Sequence, residues 1–328
     1  MTPAFGLYTH IQSNRRRSLF LLGTLFSLIY VLAFAGALGS AALAYDWGLQ
    51  ALLEQALQDT IAHAPYITAG VLVWIWFAWV FNQKIIALAM PAHSLERSDA
   101  PALYDMVETL CISRGMAVPR LAVLESAAPN AFASGVNDKQ YTITFTRGLI
   151  DLLNPAELEA VAAHELTHIR NEDVRMMMVA MIIAGVVSFF CELLFRLVGR
   201  SGGFGSSRRS SDSEGKGKGG GAAAIAIALL IVAAAWALSL MIRFALSRSR
   251  EYLADAGAVE LTKNPDAMIS ALRKIDGKGE IDEAPSGVME MCIDNPRSGF
   301  ADLFSTHPSM EDRINALKRF AGGTEELA

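Results

Sequence analysis

The chain has 328 residues, of which 52% are hydrophobic, and its formal net charge at neutral pH is -5. The mean hydropathy of +0.33 is high for a soluble protein and is typical of a chain with several membrane helices. The negative charge and the absence of interleaved basic and aromatic residues exclude a nucleic-acid-binding protein. The three scattered cysteines, Cys111, Cys191 and Cys292, exclude a disulfide framework.

Residues 1–90 are predicted to form an N-terminal segment and a transmembrane hairpin. Three arginines at 15–17 precede an uncharged run at 18–45, which is long enough to cross a hydrocarbon core that needs about 20 residues. Residues 46–65 carry acidic residues but no lysine or arginine, and they are predicted to form a loop on the far side. A second crossing is predicted at 66–90. The arginines place the N-terminus in the cytoplasm, because positive residues favour that side.

Residues 91–175 resemble a soluble domain. The apolar periodicity of residues 98–116 predicts a helix. Residues 120–125 and 140–146 alternate apolar and polar side chains, which is typical of strands. Together with residues 131–134, these runs predict a small antiparallel sheet.

A metal-binding pattern follows at residues 164–168. Residues 154–157 supply an N-cap, a proline at the first helical position and a glutamate at the third, which predicts the start of a helix. Residues four apart on a helix share a face, so His164 and His168 can bind one metal ion while Glu165 lies beside its open position. This pattern is typical of a metallopeptidase with one Zn²⁺ and a glutamate general base. The alternative is an amphipathic helix whose histidines are solvated or hydrogen-bonded.

The remainder of the chain is predicted to form a second apolar hairpin and the rest of the catalytic domain. The hairpin covers residues 176–246, with apolar runs at 176–198 and 222–246. A flexible linker rich in Gly, Ser, Arg and Lys is predicted at 201–221. Residues 247–328 are predicted to be the second part of the catalytic domain.

A catalytic zinc normally has three protein ligands and one open position for water. The motif whose third histidine follows the first by ten residues does not apply, because that position is Val174. A glutamate on a second helix is the other common solution, and Glu251 offers it. Asp255, one helical turn further, is expected to accept the second ring N–H of a ligating histidine. Glu172, four residues after His168, is the competing ligand.

These motifs resemble those of a known family of peptidases. The chain is similar to the HtpX family of membrane-integrated zinc metallopeptidases, which are related to the CAAX prenyl proteases and belong to the glutamate-zincins. The resemblance implies a multi-pass α-helical membrane protein with an α+β, zincin-like catalytic domain. The motifs that carry it, in the family's order, are residues 129–135, 146–149, 154–168, 249–255 and 306–309 with Arg313.

The same resemblance implies roles for residues outside the zinc motif. Asn130 and the strand after it would line the substrate cleft. His307 and Arg313 would complete the active site near the scissile carbonyl, with His307 helping to stabilise the oxyanion. The implied substrates are misfolded or damaged membrane proteins and unfolded polypeptides, in a bacterial inner membrane. The oligomeric state remains open.

Two other classes of protein are compatible with part of this pattern. An inactive scaffold could retain a structural zinc, but structural sites are usually closed by four residues, often cysteines, and keep no free glutamate beside the metal. A transporter with a soluble appendage would carry charges or Gly and Pro breaks within its membrane runs, and the first, second and fourth runs show few of these.

The basic residues at 15–17 and those of the linker at 201–221 predict opposite orientations of the chain in the membrane. His164, His168 and Glu251 must meet at one ion, so the chain between them crosses the membrane an even number of times. A hairpin that crosses places the linker at 201–221 on the opposite side of the membrane from the catalytic domain. If the catalytic domain is cytoplasmic, this basic linker lies outside, against the positive-inside rule. The arginines at 15–17 nevertheless favour a cytoplasmic N-terminus and catalytic domain, and the first helix usually sets the orientation of the whole chain. The catalytic domain is therefore expected to face the cytoplasm, unless the third and fourth runs do not cross.

Overall fold

The computed structural model describes residues 7–200, 220–282, 284–296 and 307–321. Most of the predicted linker, residues 201–219, lies outside the described residues. The chain divides into two compact units. One unit comprises Leu19–Phe77 and Ile182–Ile242, and the other comprises Met1–Ser18, Ala78–Met181 and Arg243–Ala328.

The described ranges are mostly helical and contain one small sheet, which confirms the predicted fold class. The helices are α1 (Leu7–Ala44), α2 (Leu49–Ala89), α3 (Pro101–Arg114), α4 (Arg147–Leu152), α5 (Pro155–Arg170), α6 (Asp173–Arg200), α7 (Gly220–Thr262), α8 (Pro265–Ile275), α9 (Ser286–Met289) and α10 (Met310–Ala321). The strands are β1 (His93–Leu95), β2 (Arg120–Leu124), β3 (Ala131–Ser134) and β4 (Thr142–Thr146).

Helices α1, α2, α6 and α7 each contain a stretch that is long and apolar enough to span a membrane. These stretches are Leu19–Ala44, Leu49–Phe77, Asp173–Leu193 and Gly220–Ile242. The first, third and fourth overlap the apolar runs predicted from the sequence closely. Helix α7 continues without a break beyond the fourth stretch, so one helix carries both an apolar span and Glu251.

The second apolar stretch differs from the sequence prediction, which placed a loop at 46–65. Helix α2 begins at Leu49 and continues through Pro65. The loop was predicted because residues 46–65 carry acidic residues but no lysine or arginine, and this charge pattern does not distinguish a loop from a polar stretch of helix. Side-chain hydrogen bonds between residues four apart, from Gln50 to Glu54 and from Gln55 to Asp59, support the helical conformation of this polar stretch.

The start of α7 packs tightly against the turn between α1 and α2. A Cβ atom at Gly220 would lie 2.4 Å from the Trp47 carbonyl oxygen and 2.8 Å from the Leu49 nitrogen, so the contact requires glycine. Within this unit, a hydrogen bond of 2.6 Å also joins the Tyr30 and Thr68 hydroxyls of α1 and α2. The α1–α2 turn and the first residue of α7 therefore lie at the same end of these helices.

The sheet is mixed and has the strand order β1-β2-β4-β3. Strands β1 and β2 are antiparallel, β2 and β4 are parallel, and β4 and β3 are antiparallel. The prediction of an antiparallel sheet is therefore wrong for the central pair, and β1 was not predicted. The chain reverses direction between β2 and β3 and again between β3 and β4, so β4 returns parallel to β2.

Helix α5 has the N-terminus that the sequence predicts. The Asn154 side chain accepts a hydrogen bond from the Glu157 N–H, and the Glu157 carboxylate accepts one from the Asn154 N–H, which completes the capping box. The same buried carboxylate receives hydrogen bonds from Ser270 (2.6 Å) and Lys274 (2.7 Å) of α8. These contacts join the N-terminal end of α5 to α8.

Candidate metal centre

Two histidines on one face of α5 point their ring nitrogens at the same place. Both His164 and His168 are buried, and their Nε2 atoms are 3.1 Å apart. Two nitrogens bound to one tetrahedral zinc at about 2.05 Å would lie about 3.3 Å apart. The observed separation fits two ligands of one ion, because neutral Nε2 atoms that face each other each offer a lone pair.

Helix α7 brings a carboxylate to these nitrogens. Glu251 Oε2 is 3.6 Å from His164 Nε2, and Glu251 Oε1 is 3.5 Å from His168 Nε2. The three potential ligand atoms lie within 4.8 Å of one another and form the metal-binding cluster found among the described residues. Glu172, the competing glutamate, does not belong to this cluster. Two imidazoles and one carboxylate form a donor set that suits a catalytic zinc with one open position.

Glu165 lies beside this cluster and is almost fully buried. Its Oε2 atom has no hydrogen-bond partner among the described residues. A buried carboxylate without a partner is costly, so the position suggests a ligand or water that the oxygen contacts during the reaction.

The pKa values of the two glutamates shift in opposite directions. Burial raises the pKa of Glu165 above its ordinary value. Burial acts in the same direction on Glu251, but its interactions with His307, with the Arg313 guanidinium and with the two histidines of α5 outweigh burial and hold the pKa of Glu251 well below its usual range. Glu251 is therefore suited to act as an anionic ligand, whereas Glu165 is suited to accept a proton.

Asp255 and Arg313 support His164 from the side opposite its Nε2 atom. Asp255 Oδ1 is 2.9 Å from His164 Nδ1, although the geometry does not form a hydrogen bond, so acceptance of this ring N–H by Asp255 remains a prediction. Arg313 Nε and Nη2 donate to the two oxygens of Asp255 at 2.9 and 2.6 Å. Arg313 also lies 3.3 Å from Glu251 Oε2. Arg313 thus contacts both Asp255 and the potential ligand Glu251, and its role near the scissile carbonyl remains a prediction.

His307 lies close to Glu251, the third potential ligand. Its Nδ1 atom is 3.4 Å from Glu251 Oε2, and the side chain is buried. The ring is thus within a few ångströms of the metal-binding atoms. Its role in stabilising the oxyanion remains a prediction.

Asn130, which is expected to line the substrate cleft, makes hydrogen bonds to the backbone of a distant segment. The side chain is fully buried, and its Nδ2 atom donates to the carbonyls of Gly279 (2.6 Å) and Asp294 (2.7 Å). Its Oδ1 atom accepts from the backbone N–H groups of Ala131 and Asp294. Asn130 therefore joins β3 to residues 279–294, and contact with substrate remains a prediction.

The outer edge of β3, where a substrate strand could pair, is partly occupied. Phe132 forms a β-bridge with Cys292, and the Ile293 N–H donates to the Ala131 carbonyl at 3.0 Å. The Ile293 carbonyl in turn accepts a hydrogen bond from Arg313. A substrate can pair with this part of β3 only if residues 292–293 move.

Sequence reasoning missed two residues at this site, Asp173 and Arg250. Asp173 Oδ2 is 3.1 Å from His168 Nδ1, and Arg250 Nε is 3.6 Å from Asp173 Oδ1. Asp173 follows His168 by five residues, a spacing that does not share a helical face, so periodicity did not identify it. The position of Arg250 directly before Glu251 is the only feature of the sequence that could have indicated that it lies near the site.

The chain is similar to several known proteins. The model of peptidase family M48 matches residues 97–321. A protease HtpX homolog of Bacteroides fragilis is 40% identical over 325 residues, covering 96% of this chain and 99% of that protein. A protease HtpX homolog of Lactobacillus acidophilus is 33% identical over 314 residues, covering 95% and 99%. The crystal structure of S. mikatae Ste24p has a TM-score of 0.44 and 21% identity, covering 77% of this chain and 57% of that one. The chain therefore belongs to peptidase family M48 and is a membrane metalloprotease of the HtpX type.

Proposed function

We propose that this protein is a zinc-dependent endopeptidase that hydrolyses peptide bonds of misfolded or damaged membrane proteins. The observation that carries the proposal is the cluster of His164, His168 and Glu251 with Glu165 beside it. The cluster offers three ligands, and Glu165 offers a buried carboxylate oxygen without a partner among the described residues. A structural zinc site would have neither an open position nor a spare carboxylate.

The reaction depends on proton transfer by Glu165. When bound, zinc would lower the pKa of a coordinated water and polarise the peptide carbonyl. Glu165 Oε2 accepts a proton from the attacking water and later donates it to the leaving amine nitrogen. His307 stabilises the negative charge that develops on the carbonyl oxygen. Asp255 keeps His164 Nδ1 protonated and its Nε2 directed at the metal.

The connections of the site along the chain support membrane-protein substrates. The apolar stretch Asp173–Leu193 begins five residues after His168, and Glu251 follows the stretch Gly220–Ile242 on the same helix. Two candidate spans thus lead directly to metal-binding residues. Segments of membrane proteins that unfold at the bilayer surface are the substrates that such a protease meets at high local concentration.

A matched pair of substrates tests this proposal. One unfolded polypeptide is offered to the protease in proteoliposomes, either free in solution or fused to a transmembrane helix. Confinement to the bilayer raises the effective concentration, so we expect the anchored form to be cleaved at least about 10-fold faster. Cleavage should stop when a zinc chelator is added. Equal rates for both forms would contradict the preference for membrane proteins, and cleavage that survives the chelator would contradict the zinc mechanism.

We further expect the catalytic domain to face the cytoplasm, with the linker outside. The arginines at 15–17 support this orientation, and the contact of Gly220 with the α1–α2 turn supports a common side for that turn and the linker. In a variant without native cysteines, Gly48→Cys and Ser207→Cys should react with a membrane-impermeant maleimide added to intact cells. Ser98→Cys should react only after lysis.

Position 48 suits this test because a Cβ atom there would meet nothing within 4 Å. Labelling at 48 with protection at 207 would mean that the linker lies on the other side from the turn. Labelling at 98 with protection at 48 and 207 would reverse the orientation of the whole chain.

A further inference from the structure

Asp173 joins a metal-binding histidine to a buried arginine. The Asp173 Oδ2 atom is 3.1 Å from His168 Nδ1, and Arg250 Nε is 3.6 Å from Asp173 Oδ1. Arg250 Nη1 also donates to the Asp173 backbone carbonyl at 3.3 Å. Both side chains are buried, Arg250 almost completely. A buried carboxylate and a buried guanidinium require this kind of mutual contact, because each is costly alone.

The backbone between α5 and α6 brings Asp173 back to the histidine. Helix α5 ends at Arg170, and Glu172 has a φ of 61°, in the left-handed region that residues other than glycine rarely adopt. This residue reverses the chain, so Asp173, the first residue of α6, faces His168 despite a spacing of five. A rare backbone conformation directly before Asp173 is consistent with a requirement for this geometry.

The arrangement repeats the one around the other histidine. At His164, the Nδ1 atom faces Asp255, and Asp255 is held by Arg313. At His168, the Nδ1 atom faces Asp173, and Arg250 Nε lies 3.6 Å from the Asp173 carboxylate, an ion-pair distance longer than the hydrogen bonds from Arg313 to Asp255. In both cases a carboxylate can accept the Nδ1 hydrogen and leave the Nε2 lone pair free for the metal.

We propose that Asp173 is a positioning residue for the zinc ligand His168, and that Arg250 acts through Asp173 by fixing its carboxylate. The proposal rests on the zinc site of the proposed function and deepens it. Asp173 sets the tautomer and the ring orientation of His168, and Arg250 prevents the carboxylate from turning away. Adjacent residues of α7 therefore act on different ligands, since Glu251 binds the metal itself and Arg250 fixes Asp173, which orients His168.

The rival explanation is that Asp173 only stabilises the start of α6, where acidic residues are favourable. That role would lower the thermal stability of the protein without a specific effect on metal binding. The two explanations are separated by the dissociation constant for zinc in the detergent-purified full chain, measured by competition with a chromophoric chelator. The melting temperature of the metal-free protein is measured alongside, and so is the visible spectrum of the cobalt(II)-loaded protein.

Glu157→Gln is the matched control. Glu157 is another buried carboxylate that is held by a cation, Lys274, but it caps the far end of α5 and contacts no metal-binding residue in the described structure. We expect this variant to melt at a lower temperature and to bind zinc with a dissociation constant within about 2-fold of the wild-type value.

Asp173→Ala should weaken zinc binding by about 10- to 100-fold and alter the cobalt spectrum. Asp173→Asn keeps an oxygen that can accept the Nδ1 hydrogen, so its loss should be smaller than that of Asp173→Ala. Arg250→Met should also weaken binding. Adding it to Asp173→Ala should change the dissociation constant by no more than about 3-fold, because the arginine acts through a carboxylate that is already absent.

The outcomes distinguish failure of the proposed function from failure of the positioning role of Asp173. A wild-type protein that binds no zinc would overturn the proposed function and this inference together. Wild-type zinc binding with an unchanged dissociation constant in Asp173→Ala would overturn only the positioning role, and so would an equal loss of affinity in Glu157→Gln. Additive effects of Arg250→Met and Asp173→Ala would show that the arginine acts independently.

Discussion

Glu165→Gln is expected to retain about one zinc per chain and to lose peptide cleavage by about 10²- to 10⁴-fold, the usual contribution of a general base. Glutamine has nearly the same size and can remain in the buried position beside His164, but its amide cannot accept the proton of the attacking water. The measurements are the zinc content and the rate of chelator-sensitive cleavage in the same preparation.

Glu159→Gln provides the matched control for this substitution. Glu159 is a half-buried residue of the same helix that does not belong to the metal-binding cluster. The control variant should keep both zinc and activity. Full activity of the Glu165 variant would exclude Glu165 as the base, whereas a loss of zinc from that variant would indicate that Glu165 contributes to binding the metal.

Glu251→Ala is expected to weaken zinc binding by more than the roughly 10- to 100-fold that the loss of an outer supporting residue costs, because a direct ligand disappears. Asp255→Asn, which removes the charge of such a supporting residue, should fall within that range. The dissociation constants are measured on the metal-free protein by chelator competition. Activity should fall together with zinc occupancy and recover when excess zinc restores it, to the extent that the site still binds.

Glu172 is the decisive control, because it is the competing glutamate from the sequence. Its positive φ means that Glu172→Ala would carry backbone strain, whereas Glu172→Gly removes the carboxylate and suits the left-handed conformation. Glu172→Gly should therefore bind zinc like the wild type and keep its melting temperature. Loss of zinc from this variant, with retention in Glu251→Ala, would identify Glu172 as the third ligand.

Local patterns predicted the parts of the site that lie on one helix. The capping residues of α5 and the four-residue spacing of His164 and His168 depend only on helical geometry, so the sequence was sufficient for both. The approximate positions of the apolar spans followed from composition for the same reason, since a continuous apolar run is a local property. The sequence also pointed to Glu251 and Asp255, because their spacing places both on one face of a second helix.

Other features depend on contacts between distant segments, and only the tertiary structure decided them. The parallel pairing of β2 with β4 depends on where the chain reverses twice, and the charge pattern of residues 46–65 did not indicate that α2 already begins at Leu49. The resemblance implied only that Asn130 lines the substrate cleft, whereas the structure shows that its side chain bonds to backbone groups of residues 279 and 294. The contact of Asp173 with His168 requires a left-handed residue between two helices, and its contact with Arg250 requires the packing of α7 against that turn. Helical periodicity reports which residues share a face, but it carries no information about which faces meet, because that is set by the packing of the whole chain.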